Sequence, residues 1–155
     1  SIALNEALAR RKVEARLFSA MPMPTFCETF NQPRARRAFE EGKVTIFAGG
    51  TGNPFFTNDT AGALRAAEMG CDALFKGTLV DGIYSADPKR DRKAVRFDRL
   101  THAEVLAKGL QVMDAAAVAL ARDNGIPVIV FSILEPGALV SVVEGSGRAT
   151  IVADA

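Results

Sequence analysis

The sequence predicts a layered α/β fold with a mainly parallel sheet, and three observations point to it. Short apolar, β-branched runs alternate with segments of helical length along the chain. Runs such as residues 44–48 and 128–133 are nearly continuous in apolar character, as in strands covered on both faces. Turn signals, mostly glycine, separate these pieces, and no linker or repeat marks a second domain, so residues 1–155 are expected to form one domain.

The elements follow in order. Ile2, Leu4, Leu8 and Ala9 recur at roughly helical spacing, and residues 14–19 read as a strand. Met21-Pro-Met-Pro24 breaks regular structure. Asn31, with Pro33 close behind, suits a helix start that runs to Gly42. A strand over 44–48 leads into a Gly-rich turn, Gly49-Gly-Thr-Gly-Asn-Pro54. The helix over 59–69 has Thr57, Asn58 or Asp59 as candidate N-caps and Gly70 as its stop. Residues 73–77 form a further strand, and Val80-Asp-Gly-Ile-Tyr84 reads as a hairpin on an Asp-Gly turn. Thr101-His-Ala-Glu104 is a capping-box pattern opening a helix that ends near Gly109. An Ala-rich helix over 114–124 is closed by Gly125. A strand over 128–133, a helix over 137–144 and a strand over 149–152 complete the pattern.

Composition narrows the function classes. Of the residues, 48% are hydrophobic and 24% charged, with a formal net charge of +1. That balance generates no long-range field demanding nucleic acid or an anionic membrane. The basic clusters Arg10-Arg-Lys12 and Arg34-Ala-Arg-Arg37 lack interleaved aromatics and read as solvated helix faces. No apolar run approaches the roughly 18 residues of a membrane span, and the first residues lack a basic-then-apolar order. Cys27 and Cys71 read as free thiols of a reducing cytoplasm, and with one histidine, His102, a zinc-type site is not expected. His102 is expected at the surface and the Met21/Met23 pair in packing.

Two segments carry chemistry. In residues 47–59 a strand runs into glycines, then hydroxyl and amide side chains, then a helix N-terminus. Ligands of open α/β sheets sit beyond the carboxyl ends of strands, where helix N-termini offer N–H groups to anions. Gly49, Gly50 and Gly52 let backbone approach a ligand; Thr51, Asn53 and Thr57 can hydrogen-bond one; Phe55 and Phe56 can wall it or merely anchor the loop. A tight strand–helix connection with capping residues explains the segment equally well. No Walker loop or Gly-x-Gly-x-x-Gly fingerprint is present. In the second segment, 75–88, Lys76 at a strand end meets phosphate oxygens or is simply solvated. Thr78 can bond a base or ribose, Tyr84 can flank an adenine, and Asp87 before Pro88 accepts ribose hydroxyls or starts a turn.

Together, Gly-Thr-Gly-Asn-Pro-Phe-Phe-Thr-x-Asp (50–59) and Lys-x-Thr-x-Val-Asp-Gly-Ile-Tyr-x-x-Asp-Pro resemble bacterial UMP kinases of the amino acid kinase superfamily. Residues 15–21, 100–106, 112–117 and 131–137 extend the resemblance essentially end to end. It implies a three-layer αβα fold and, in the whole protein, phosphoryl transfer from Mg-ATP to UMP in pyrimidine nucleotide biosynthesis. Thr51, Gly52, Asn53, Pro54, Phe55, Phe56, Thr57 and Asn58 would line the UMP site, and Thr78, Tyr84 and Asp87 would contact ATP. Asp59 and Lys76 are the candidate catalytic residues, although capping explains Asp59 as well, and Asp114 likewise. No protein-only metal site is implied. The resemblance further implies a cytoplasmic homohexamer with GTP and UTP as effectors.

The family pattern also includes an early Lys-Leu-Ser-Gly strand and a Gly-Gly-Gly-Asn loop, which hold phosphates. Neither occurs in these 155 residues, so the chain is expected to be the C-terminal portion, impaired in turnover. The competing expectations are a non-catalytic nucleotide-binding or assembly fragment, and another amino acid kinase relative acting on a carboxylate or carbamate.

Overall fold

The computed structural model describes residues 1–88, 90–110 and 112–154. The chain divides into two compact units, Ser1–Ala61 and Gly62–Ala155.

The first unit comprises α1 (Ile2–Arg10), β1 (Ala15–Ser19), β2 (Glu28–Thr29), α2 (Gln32–Glu40) and β3 (Val44–Ala48). Its strands are ordered β2-β1-β3 and all pair in parallel, Ala15 opposite Val44 through Ser19 opposite Ala48. Parallel neighbours need a crossover, and α2 supplies it. Asn31 opens α2 by accepting a hydrogen bond from the Arg34 N–H at 3.2 Å, and Pro33 occupies the first turn, where no amide donor is required. The small buried Ala35 and Ala38 let α2 lie close to β1 and β3. Phe47 packs against Phe18 and, edge-on, Phe30, with ring centroids 6.1 and 5.6 Å apart.

The helix α3 (Asn58–Met69) begins in the first unit and ends in the second, stopped by Gly70 at φ +65°. The second unit continues with β4 (Leu74–Thr78), β5 (Ile83–Tyr84), β6 (Arg96–Phe97), β7 (Arg99–Leu100), α4 (His102–Ala107), α5 (Ala115–Asp123), β8 (Val128–Ser132), α6 (Ala138–Val143) and β9 (Ala149–Val152). Four strands form a sheet ordered β4-β8-β9-β7, with β8 and β9 antiparallel and the other pairs parallel. Its core joins Ala63 and Ala66 of α3, Val105, Ala117, Val118 and Ala121 of α4 and α5, and Val128, Val130 and Val152 of the sheet. Each fully buried valine is worth roughly 1.5–3 kcal/mol by area removed from water.

Capping follows the residue chemistry closely. Thr101 Oγ1 accepts from Glu104 N–H at 3.1 Å while Glu104 Oε2 accepts from Thr101 N–H at 2.8 Å, completing the capping box of α4. Asp114 Oδ1 accepts from Ala117 N–H at 3.0 Å and so caps α5.

Four expectations are corrected, the first being that Met21 and Met23, expected in packing, are exposed. Residues 80–84 do not form a hairpin: Ile83 and Tyr84 pair antiparallel with Phe97 and Arg96 in a separate two-stranded sheet. The Asp81-Gly82 dipeptide is instead a bend pressed against Thr150, since a Cβ on Gly82 would lie 2.5 Å from Thr150 Oγ1. Lys76 stands in the middle of β4, opposite Val130, rather than at the strand end. His102 is buried, 1% exposed, with Nδ1 3.1 Å from Asp154 Oδ2 and Nε2 3.1 Å from the Ile126 carbonyl. Its place at the first position of α4 suggested solvent, but the ring turns inward to acceptors more than twenty residues distant in sequence.

Candidate functional site

In the first unit, β3 ends at Ala48 and the chain turns through three glycines in the left-handed region, Gly49 at φ +77°, Gly50 at +61° and Gly52 at +76°. Gly52 is favoured by its φ and by a tight approach: a Cβ there would come 3.2 Å from the Ala20 carbonyl oxygen and 3.3 Å from its methyl group. The loop is also stitched internally. Asn53 N–H donates to Thr51 Oγ1 at 3.1 Å, and Asn53 Nδ2 donates to the Thr51 carbonyl at 3.3 Å.

Among the three candidate caps of α3, Thr57 takes the role. Its Oγ1 accepts from the N–H groups of Asp59 and Thr60 at 3.1 and 3.3 Å, which places Asn58 and Asp59 in the first helical turn. A first-turn aspartate also complements the positive end of the helix dipole. Phe55 sits at φ +70° with its ring fully exposed, and Phe56 is exposed as well. A bulky side chain held in the left-handed region costs on the order of 1–3 kcal/mol, and such strain gathers where a loop serves a ligand. Thr51, Gly52, Asn53, Pro54, Phe55, Phe56, Thr57, Asn58 and Asp59 thus form one continuous turn-and-cap.

In the second unit, Thr78, Tyr84 and Asp87 line one cavity of about 450 Å³. They reach it by different routes: Thr78 from the end of β4, Tyr84 from β5, and Asp87 from the following loop. Lys76 is not among its lining residues. Val80, Ile83, Leu110, Val112 and Val130 supply apolar surface, and Lys108 supplies a cation. Lys108 Nζ stands 5.2 Å from the centre of the Phe97 ring and 3.7 Å from Glu104 Oε1. Apolar walls with a few convergent polar groups and one cation suit a flat, partly anionic small molecule. Lys108, Leu110 and Val112 were missed in the sequence; the only signal there was the glycine-interrupted stretch between two capped helices.

Tyr84 donates its hydroxyl proton to Asp81 Oδ1 at 2.7 Å. That bond holds the Asp81 carboxyl below its usual range, helped by Arg148 and Arg96 against the effect of burial, and pushes the Tyr84 phenol up. Arg148 Nε lies 3.5 Å from the other carboxylate oxygen.

Comparison with known proteins spans nearly the whole chain. The chain is 61% identical over 154 residues to uridylate kinase of Brucella anthropi and 58% identical to that of Mesorhizobium japonicum. Each match covers 99% of this chain and 64% of the relative. The chain therefore spans about two thirds or less of the length of these curated relatives. The crystal structure of UMP kinase from Ureaplasma parvum superposes with a TM-score of 0.95 at 36% identity, covering 99% of this chain and 66% of that one. UMP kinase from Bacillus anthracis gives 0.95 at 34%, covering 99% and 64%. The model of the amino acid kinase family matches residues 3–132, across the glycine turn, the cavity strands and the capped helices, and the chain belongs to that family.

Proposed function

We propose that this chain carries the nucleotide-handling part of a UMP kinase, in which the γ-phosphoryl group of ATP passes to UMP to give UDP. The observation that carries the reading is the cavity that gathers Thr78, Tyr84 and Asp87, separated in sequence and each suited to a nucleoside. The adenine face would lie against Tyr84 and the apolar wall, with Thr78 and Asp87 available to base and ribose. The loop from Thr51 through Asn58, a strand-to-helix turn ending at a helix N-terminus, suits the acceptor phosphate. The uridylate kinase names of the relatives support this choice of acceptor.

Phosphoryl transfer is driven by positioning and by neutralising charge on phosphate oxygens. Among the described residues no three His, Cys, Asp or Glu side chains cluster to cage a metal. A Mg²⁺ ion brought in on the triphosphate often keeps several waters and binds only one or two carboxylates. Held on the triphosphate, Mg²⁺ would supply neutralisation of the phosphate charge, while Asp87 serves the ribose. Asp59 and Lys76 remain the proposed charged contributors to transfer.

The chain lacks the Lys-Leu-Ser-Gly and Gly-Gly-Gly-Asn patterns, so it should bind nucleotides more weakly than a kinase that has them and turn over little. Assembly as a hexamer, response to GTP and UTP, and residence in the cytoplasm belong to the same proposal. No helix among the described residues is long and apolar enough to cross a membrane. Calorimetry with ADP and with UMP, joined to a coupled ADP-release assay with UMP and Mg-ATP, tests the reading. Binding of both nucleotides supports it. Binding of neither sinks it and favours a pure assembly piece, and robust turnover by this chain sinks the claim of impairment.

A further inference from the structure

We infer that Asp81 is a positioning residue, fixing the Tyr84 ring as the wall of the cavity proposed for the adenine nucleotide. The inference rests on that nucleotide reading and adds a residue to it.

Tyr84 lines two cavities at once: the one of about 450 Å³ with Thr78 and Asp87, and another of about 570 Å³. Asp81 lines only the second. It therefore acts on the first through Tyr84. The backbone beneath the ring is already fixed. Ile83 is buried, its N–H donates to the buried Thr150 hydroxyl at 2.8 Å, and Tyr84 is paired with Arg96. What the backbone leaves free is rotation of the ring about its two side-chain torsions, which would swing it toward either cavity.

The bond from the Tyr84 hydroxyl to Asp81 Oδ1 removes that freedom. Asp81 is itself braced, since its second oxygen faces Arg148 Nε at 3.5 Å. A tyrosine hydroxyl within reach of solvent needs no protein acceptor to be satisfied, because water serves. A charged acceptor at 2.7 Å does something water does not, which is to select one ring orientation. A ligand meeting a ring already in place loses less entropy on binding than one that must order it.

The chain contains one tyrosine and no tryptophan, so its near-ultraviolet phenolate absorbance reports Tyr84 alone. In D81A the phenol titration should fall toward its ordinary value of 10.0, and ADP affinity by calorimetry should drop by about three- to tenfold. Y84F should lose a similar factor, and D81A added to Y84F should cost nothing further. D81N, which keeps the shape, should lower the phenol titration even if D81A folds poorly. ADP affinity in D81A within about twofold of the unsubstituted chain, or additive losses in the double variant, would overturn the inference while leaving the nucleotide reading intact. Failure of the unsubstituted chain to bind ADP would overturn both.

Discussion

Replacing Gly82 with alanine should damage the second unit through one identifiable contact. Gly82 sits at φ +156°, and an added Cβ would lie 2.5 Å from Thr150 Oγ1 and 3.1 Å from Arg96 Cδ. The arginine stem can move aside. Thr150 cannot, because it is fully buried in β9 and its hydroxyl is engaged twice, accepting from Ile83 N–H at 2.8 Å and donating to the Phe97 carbonyl. Relief therefore requires the 81–83 backbone to lift, which breaks the Ile83 bond. Overpacking of this kind costs about 1–3 kcal/mol and an orphaned buried N–H a further ~1–3 kcal/mol. The two overlap, so G82A should lose about 2–4 kcal/mol. Urea unfolding followed by circular dichroism measures it. T150A removes the opposing oxygen, so G82A/T150A should be less damaged than the sum of the single variants by about 1 kcal/mol or more. An unshifted midpoint for G82A, or strict additivity in the double variant, would refute the account.

Other outcomes follow from the same contacts. H102F, close in volume, leaves the buried Ile126 carbonyl without its donor and should cost about 1–3 kcal/mol in urea unfolding, and H102A more because it adds a cavity. The Thr101 backbone N–H lowers the Glu104 carboxyl below its ordinary 4.5. A depressed carboxylate stabilises the fold above its unfolded value and loses that contribution as pH falls through the folded one. The stability gap between the unsubstituted chain and E104Q, read by thermal melts, should therefore be full near neutrality and close progressively below about pH 4.5. T57A removes the cap of α3 and should cost about 1 kcal/mol, while T57S should restore most of it.

Much of the fold is legible because its signals are local. Asn31, Thr101 and Asp114 cap helices through groups three residues away, and Gly70 and Gly125 stop them through their own φ values of +65° and +63°. The two-residue strands β2, β6 and β7 left no period to read, since two residues cannot display alternation. Asp81-Gly82 misled for a related reason. The dipeptide has the composition of a hairpin turn, yet Ile83 pairs with Phe97 and Tyr84 with Arg96, fourteen and twelve residues further on.

The candidate site divides in the same way. The glycine turn and its Thr57 cap are a contiguous string whose geometry follows from residue type, so position along the chain was enough to mark them. The cavity of the second unit was half visible: Thr78, Tyr84 and Asp87 stood out by resemblance, whereas Lys108 and Val130 join them only through packing. Capping, helical period and glycine turns depend on neighbours in sequence, and these the sequence by itself determined. The inward turn of His102, the Thr150 support beneath Gly82 and the cation at the cavity depend on groups dozens of residues apart. They were decided only when tertiary packing brought those groups together and burial made unsatisfied polar atoms costly.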